Sequence, residues 1–315
     1  MTQTIARSVG IDISKDHLDA AVHPDQQSKR FNNDRKGHTD LLRWLAPFGA
    51  TRIVFEATGA YHRTLERRLS ETGVPFAKVN PRRARRFAEA IGRLAKTDRV
   101  DAAMLARFGA LIEPQVRPVA GEAIQQLADL MAARRALIKD RTATTNRAKV
   151  LRIDLLQRQA GQRLNQIAQQ IEDLDRHALA IVGADPVLQN RLDILTSIPG
   201  VGEATALALI ADMPELGQMN EKQAASLAGL APVTRESGTW RGKSFIRGGR
   251  AHLRQALYMP ALVAMRFNPD LKAKFEAMTK AGKPPKVAIT ALMRKLVILA
   301  NALLRAKRKW TKITA

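Results

Sequence analysis

From about residue 120 to 182 the chain contains almost no glycine and no proline. A run of that length without a helix breaker can only be built economically from long helices, because nothing in it supplies the turn geometry a compact sheet needs. Leu164, Ile167, Ile171, Leu174, Ala178 and Ile181 recur at alternating spacings of three and four. That spacing makes a heptad-like seam, which predicts a helical hairpin or coiled coil and is a feature able to set an oligomeric state. The sequence Glu113-Pro114-Gln115-Val116-Arg117-Pro118 breaks the chain just before this run. Three segments follow: 1–112, 113–185 and 186–315.

The first segment mixes strand and helix signals. Ser8–Ile13 and Leu18–Val22 are short apolar runs separated by a polar turn, as in a hairpin. Residues 51–56 form a third strand, 61–72 a helix and 74–79 a further strand. Alternation of this kind predicts an α/β layer. The last segment is mostly helical with glycine-rich breaks, and its final amphipathic helix runs from Val287 to Leu304.

Charge narrows the function. Lys and Arg number 52 against 29 Asp and Glu, a formal net charge of +23. A surplus of this size points to a polyanionic partner, nucleic acid first. Cysteine is absent, which excludes disulfides, thiolate zinc sites and cysteine nucleophiles. No apolar run suggests a membrane span, and the N-terminal MTQTIARSVGIDIS has no stretch suited to a signal peptide. A cytoplasmic, nucleoid-associated protein is expected. Aromatics are only 4%, too few for base stacking to dominate.

Four carboxylates stand out. Asp12 lies between Ile11 and Ile13 in an apolar strand, so alternation turns it to the face opposite them. Glu56 ends the apolar run Ile53-Val54-Phe55 and leads into Ala57-Thr58-Gly59. Asp98 and Asp101 are three apart at a helix start, on one face. Together they could hold Mg2+ or Mn2+, hard cations suited to oxygen ligands, and two such ions would stabilise a phosphodiester displacement. Taken singly, Asp98 reads equally as a helix cap and Asp101 as a partner of a nearby base.

Basic stretches accompany them. Arg82, Arg83, Arg85 and Arg86 predict a helix with a cationic face, continued by Arg93 and Lys96. Between Arg235 and Arg254 there are six Lys or Arg against one acid, Glu236. Arg241, Lys243, Arg247, Arg250 and Arg254 are candidate phosphate contacts on a glycine-rich loop. Ile198-Pro199-Gly200-Val201-Gly202, followed by a helix, reads as a helix-hairpin-helix whose Gly200 and Gly202 present backbone N–H groups to phosphate. On physics alone, Ser237 before Gly238 is a turn serine.

The segments Val9–Lys15, Phe55–Gly59, Asn80-Pro81-Arg82-Arg83 and Lys96–Ala102 closely resemble the insertion-sequence "one-ten" family of transposases and the related pilin-gene invertases, and the resemblance spans the chain. It implies a RuvC-like (ribonuclease-H-fold) N-terminal domain with an acidic tetrad, carried here by Asp12, Glu56, Asp98 and Asp101. It also implies a C-terminal transposase domain whose nucleophilic serine follows an Ala-Pro. Ala231-Pro232 followed by Ser237-Gly238 matches, which assigns the nucleophile to Ser237, with Ser244 the alternative in the same loop. The function so implied is a site-specific DNA recombinase working through a covalent phosphoserine on donor and target DNA duplexes. A noncoding bridge RNA selects the sites in insertion-sequence members, and a homodimer or homotetramer is expected. Two other readings differ in chemistry: a Holliday-junction-resolvase-like nuclease with water as nucleophile, and an architectural DNA-binding protein with no catalysis.

Overall fold

The computed structural model describes residues 7–49, 52–56, 61–92, 97–116 and 121–311. The chain divides into two compact units, Met1–Val119 and Ala120–Ala315.

The N-terminal unit is a five-stranded sheet covered on both faces. Its strands are β1 (Ser8–Ile13), β2 (His17–His23), β3 (Ser28–Asn32), β4 (Arg52–Glu56) and β5 (Phe76–Val79). Their order is β3-β2-β1-β4-β5. The first three are antiparallel, and β4 and β5 run parallel to β1. This is the ribonuclease-H-type sheet that the resemblance implies. Sequence reading missed β3, since Ser-Lys-Arg-Phe-Asn has only Phe31 buried. It is an edge strand, and lysine and arginine on an edge guard it against pairing with other chains.

Alternation along the strands assigns the two faces. Val9, Ile11, Ile53 and Phe55 join Leu41 and Leu45 of α1 (Arg35–Leu45) and Leu65 and Leu69 of α2 (Arg63–Glu71) in one core. Val54 and Val79 face the other way, packing with Ala84 of α3 (Pro81–Ala90) and with Met104, Leu105 and Phe108 of α4 (Asp98–Ile112).

Helix α4 lies on β1 with no side chain between them at Gly10. A Cβ there would stand 2.0 Å from the Ala102 carbonyl oxygen and 2.2 Å from the Ala106 nitrogen. Two residues back, Ser8 meets Gly109, whose own Cβ would stand 2.0 Å from the Ser8 Oγ. The helix therefore runs antiparallel to the strand. Four strand residues advance about 13 Å, and about nine helix residues cover the same distance. Two residues beyond Gly10, Asp12 meets the first turn of α4, where Asp98 and Asp101 stand.

The C-terminal unit is helical. A long hairpin, α5 (Glu122–Ala148) and α6 (Asp154–Gly183), precedes α7 (Pro186–Thr196), α8 (Glu203–Asp212) and α9 (Glu221–Leu227). Then come α10 (Ala251–Phe267), α11 (Pro269–Lys280) and α12 (Pro285–Ala306). The seam closes α6 on α5 within one chain, with Ile167, Ile171 and Ala178 buried and Val182, not Ile181, taking the last place. Leu127 and Met131 of α5 and Ala178 and Val182 of α6 share one core with Leu195, Leu253 and Leu292. The base of the 113–185 segment thus belongs to the C-terminal core. Helix α12 is long and apolar enough to cross a membrane by length and composition, contrary to the sequence reading. In this unit it is a core helix, buried along Ala288, Leu292, Leu296, Val297 and Ala300.

The loop expected at 228–254 is instead two small ribbons. Strand β6 (Pro232–Val233) pairs with β9 (Phe245–Ile246), and β7 (Glu236–Ser237) with β8 (Trp240–Arg241), both antiparallel.

Two glycine substitutions test these packing arguments. Gly10→Ala forces α4 off the sheet and should destabilise the N-terminal unit by at least about 3 kcal/mol. Gly161→Ala lies mid-helix in open space and should stabilise α6 by about 0.5–1 kcal/mol. Denaturant titration monitored by circular dichroism separates the two signs.

Candidate active site and nucleic-acid interface

The acids meet at one end of the sheet. The β1–β4 register ends at Ile11 opposite Phe55, so one step on Asp12 is level with Glu56. Glu56 follows the alternation of Val54 and so shares the α4 face with Asp12. The hairpin register sets Asp19 of β2 directly across from Asp12. Thr97 caps α4 by accepting from the Val100 N–H at 3.3 Å. Asp98 is therefore not the cap, and both Asp98 and Asp101 lie in the first turn, where carboxylates are favoured by the helix dipole.

The field there is strongly negative. Asp12 is half-buried, and its carboxyl is pushed up to about 6, first by burial and then by Asp101, Asp98 and Asp19. Asp19 and its partner Arg30 are the site residues that sequence reading missed. Arg30 holds Asp19 in a fork, its Nε at 3.0 Å from Oδ1 and its Nη2 at 2.8 Å from Oδ2. The same Nη2 reaches Asp98 Oδ2 at 3.2 Å. Counting the strand register outward from the four-residue turn 14–17, closed by the Ser14 N–H on the His17 carbonyl, would have paired position 12 with 19. No sequence signal pointed to Arg30.

Among the described residues, no three His, Asp or Glu side chains stand close enough to hold a metal ion. The donor set still fits one in kind. Carboxylates gathered around a half-buried Asp12 present the hard oxygens and negative field that a divalent cation such as Mg2+ would relieve. Asp98 is engaged by Arg30, and its side chain is 62% exposed, so rotation can bring it toward Asp12. The segment Ala57-Thr58-Gly59 lies outside the described residues.

Next to the sheet, α3 begins at Pro81 with Asn80 capping it. Arg82, Arg83, Arg85 and Arg86 are exposed on it, Arg83 over the Phe108 ring and Arg85 beside Glu89 at 3.3 Å. The expected basic face is present; Arg93 and Lys96 lie outside the described residues.

In the C-terminal unit, Ser237 is exposed on β7, followed by Gly238 in the left-handed region at φ +57°. Lys243, Ser244 and Arg247 are exposed nearby. Of Arg241 only the backbone, on β8, is described. Two cations need reassignment. Arg250 donates to both Glu215 oxygens at 2.9 Å and to the Asp212 carbonyl. Arg254 donates to the carbonyls of Gly229 and Gly248. Both are half-buried and fasten the base of the ribbons, so they are structural, not phosphate contacts. Around Arg250, Asp212 is pushed up by burial, although Arg135 donates to it, and His252, 3.5 Å away, is pushed down by burial.

The turn between α7 and α8 also divides. Gly200, at φ +95°, packs on α10, where a Cβ would stand 2.7 Å from the Pro260 carbonyl. That close approach, and the positive φ, explain why position 200 must be glycine. Gly202 is exposed at the N-terminus of α8 with open space around it.

Comparison with known proteins shows the family. Residues 9–153 match a DEDD transposase model, and residues 192–276 match the transposase IS116/IS110/IS902 family model. The chain is 31% identical over 320 residues to the pilin gene-inverting protein of Moraxella lacunata, covering 96% of this chain and 97% of that one. The chain belongs to the IS110 family of transposases. The Moraxella bovis pilin gene-inverting protein is 30% identical over 318 residues, covering 96% of this chain and 97% of its own. An IS110 43.6 kDa protein of Streptomyces coelicolor is 29% identical over 155 residues, covering 49% of this chain and 37% of its own. Thermus-type RuvC, solved as "T. thermophilus RuvC in complex with Holliday junction substrate", aligns at a TM-score of 0.29 and 14% identity, covering 36% of this chain and 99% of that one. As an IS110-family transposase, the chain is a DNA recombinase.

The raised Asp12 gives a pH signature. A carboxyl whose folded value (about 6) exceeds its ordinary 3.8 weakens the metal-free fold above pH 6, and that cost fades as pH falls toward 4. In chelator, Asp12→Asn should therefore melt higher than the unaltered protein at about pH 8, with the gap closing at about pH 4. Thermal denaturation across pH checks it; a gap independent of pH would contradict the assigned field.

Proposed function

We propose that this transposase cuts and rejoins DNA through a covalent bond to Ser237, with a divalent metal held by Asp12, Glu56, Asp98 and Asp101. The observation that carries the reading is the convergence of carboxylates on Asp12, a half-buried acid whose carboxyl is pushed up to about 6 first by burial and then by Asp101, Asp98 and Asp19. Nothing in the folding of a sheet requires acids to be gathered at such a cost, and sites that pay it are commonly catalytic. When bound, Mg2+ or Mn2+ supplies electrostatic stabilisation of the charge that builds on a phosphodiester under attack.

The chain's own residues do the rest. The Ser237 hydroxyl attacks phosphorus, its Oγ–P bond forms as the bond to the departing strand's oxygen breaks, and its proton passes to a base while the leaving oxygen acquires one. The phosphoserine stores the bond energy, so a new strand's hydroxyl can displace Ser237 without an external energy source. Lys243 and Arg247, exposed on the same ribbons, would neutralise phosphate at the serine, and Arg82 and Arg86 would steer the backbone toward the acids. Carboxylates and serine reside in different units, and the mechanism has them meet on DNA within one chain or between the subunits of a dimer or tetramer. The charge of +23 supports binding a bridge RNA as well as both duplexes. Such a protein works on the chromosome in the bacterial cytoplasm.

The test is denaturing electrophoresis after incubation with DNA from the flanks of the gene. Unaltered protein should give an adduct that is lost in Ser237→Ala and kept in Ser244→Ala. Asp12→Asn should slow strand cleavage by at least about 100-fold. Cleavage that persists in Ser237→Ala without any adduct would establish water as the nucleophile and overturn the serine mechanism.

A further inference from the structure

An open groove of about 530 Å3 runs along the edge of the N-terminal sheet between β3 and α1. Lys29, Arg30, Lys36 and Arg43 line it with Trp44, and the acid there, Asp40, is paired to Arg43 at 3.0 Å. Strand alternation explains its course. Lys29 stands on the α1 face, its Nζ 5.4 Å from the centre of the Phe31 ring. Arg30 stands on the opposite face, forked onto Asp19 and touching Asp98. The cations therefore pass around the outer edge of the sheet, and the last of them contacts the carboxylate cluster.

The frame is stiff. Gly37 at the start of α1 lies against β3 so closely that a Cβ would stand 1.9 Å from the Asn32 carbonyl, and its N–H donates to Asp34 at 2.7 Å. Trp44 packs between Phe31 and Phe48, with ring centres at 5.6 and 5.3 Å. Its rings floor the groove and do not swing out as stacking platforms.

We infer that this groove is a phosphate track: it binds the backbone of one nucleic-acid strand and leads it around the sheet edge into the carboxylates, with Arg30 at the hand-over. Three features select a strand over a small anion. The cations are spread along an open path and do not converge on one point. The path ends at the acids and not in a closed pocket. Sequence-independent cations on a rigid edge suit a repeating phosphate backbone. Arg30 can release Asp98 to a metal and turn to the incoming phosphate, exchanging one anion for another. The inference deepens the recombinase reading by naming where the strand enters.

The experiment measures binding of labelled single-stranded DNA and RNA of the same sequence by full-length protein in EDTA, over a salt series. Lys29→Ala/Lys36→Ala should weaken binding of at least one polymer tenfold or more and lower its salt slope by about 1.4, the release expected for two single-strand phosphates. The polymer affected identifies the strand. Lys280→Ala/Lys283→Ala, which removes the same charge from exposed sites at the end of α11, should leave both unchanged. Equal affinity and slope in the groove variant, or an equal loss in the two variants, would overturn this proposal alone. Failure of the unaltered protein to bind either polymer would overturn the recombinase reading with it.

Discussion

The backbone contact between β1 and α4 at Gly10 is the constraint on which the N-terminal unit turns. A side chain at that position would hold the helix off the sheet by several ångströms. Its absence allows the Ala102 carbonyl and the Ala106 nitrogen to rest on the strand. Once that contact and the Ser8–Gly109 contact are made, the helix has no freedom to slide. Its first turn then falls where Asp12 emerges, so three carboxylates from distant parts of the sequence are positioned by regular backbone and not by loops. Sites carried on such elements keep their geometry to a tolerance that loops do not reach.

That rigidity explains why the acids tolerate one another. Burial first, and the like charges beside it second, raise the proton affinity of Asp12. Two neighbours are relieved differently: the half-buried Asp19 and the exposed Asp98 share the Arg30 guanidinium. One cation bridging two strands and a helix start is a local counter-charge, suited to a site whose charge changes when metal and phosphate arrive. Around this negative centre the surface is basic, on α3 and along β3. A positive surround draws in a polyanion, and under the proposed mechanism only the reacting phosphate, at the negative focus, would need a metal.

Much of this was legible from the residues. Asp12 and Glu56 were visible because an acid in an apolar strand violates its surroundings, and Asp98 with Asp101 because spacing of three on a helix start shares a face. Asp19 was not, since Leu18-Asp19-Ala20 looks like ordinary alternation until the hairpin register is known. Strand β3 was hidden because an edge strand with one buried residue has no apolar period to detect. The seam of α6 was legible, but its phase was not. A heptad places the last contact at Ile181, whereas a straight helix of 3.6 residues per turn arrives at Val182 five turns after Leu164, and Val182 is the residue buried.

The basic loop shows a limit of a different kind. Counting cations cannot distinguish one that faces solvent from one that caps carbonyls, since Arg donates to either with the same fork. Arg250 and Arg254 close the base of the ribbons on Glu215, Gly229 and Gly248, and Arg235 lies over the Phe245 ring. Trp240 covers Gly242, whose Cβ would stand 2.4 Å from the indole. Arg250 and Arg254 thus brace the ribbon from beneath, while Arg235, Lys243 and Arg247 are exposed on it. Were Ser237 the nucleophile, as proposed, a braced ribbon would cost it less conformational entropy on meeting its phosphate than a free loop. Under that proposal Arg250 and Arg254 would serve the reaction indirectly, by holding the base of the ribbon that carries Ser237.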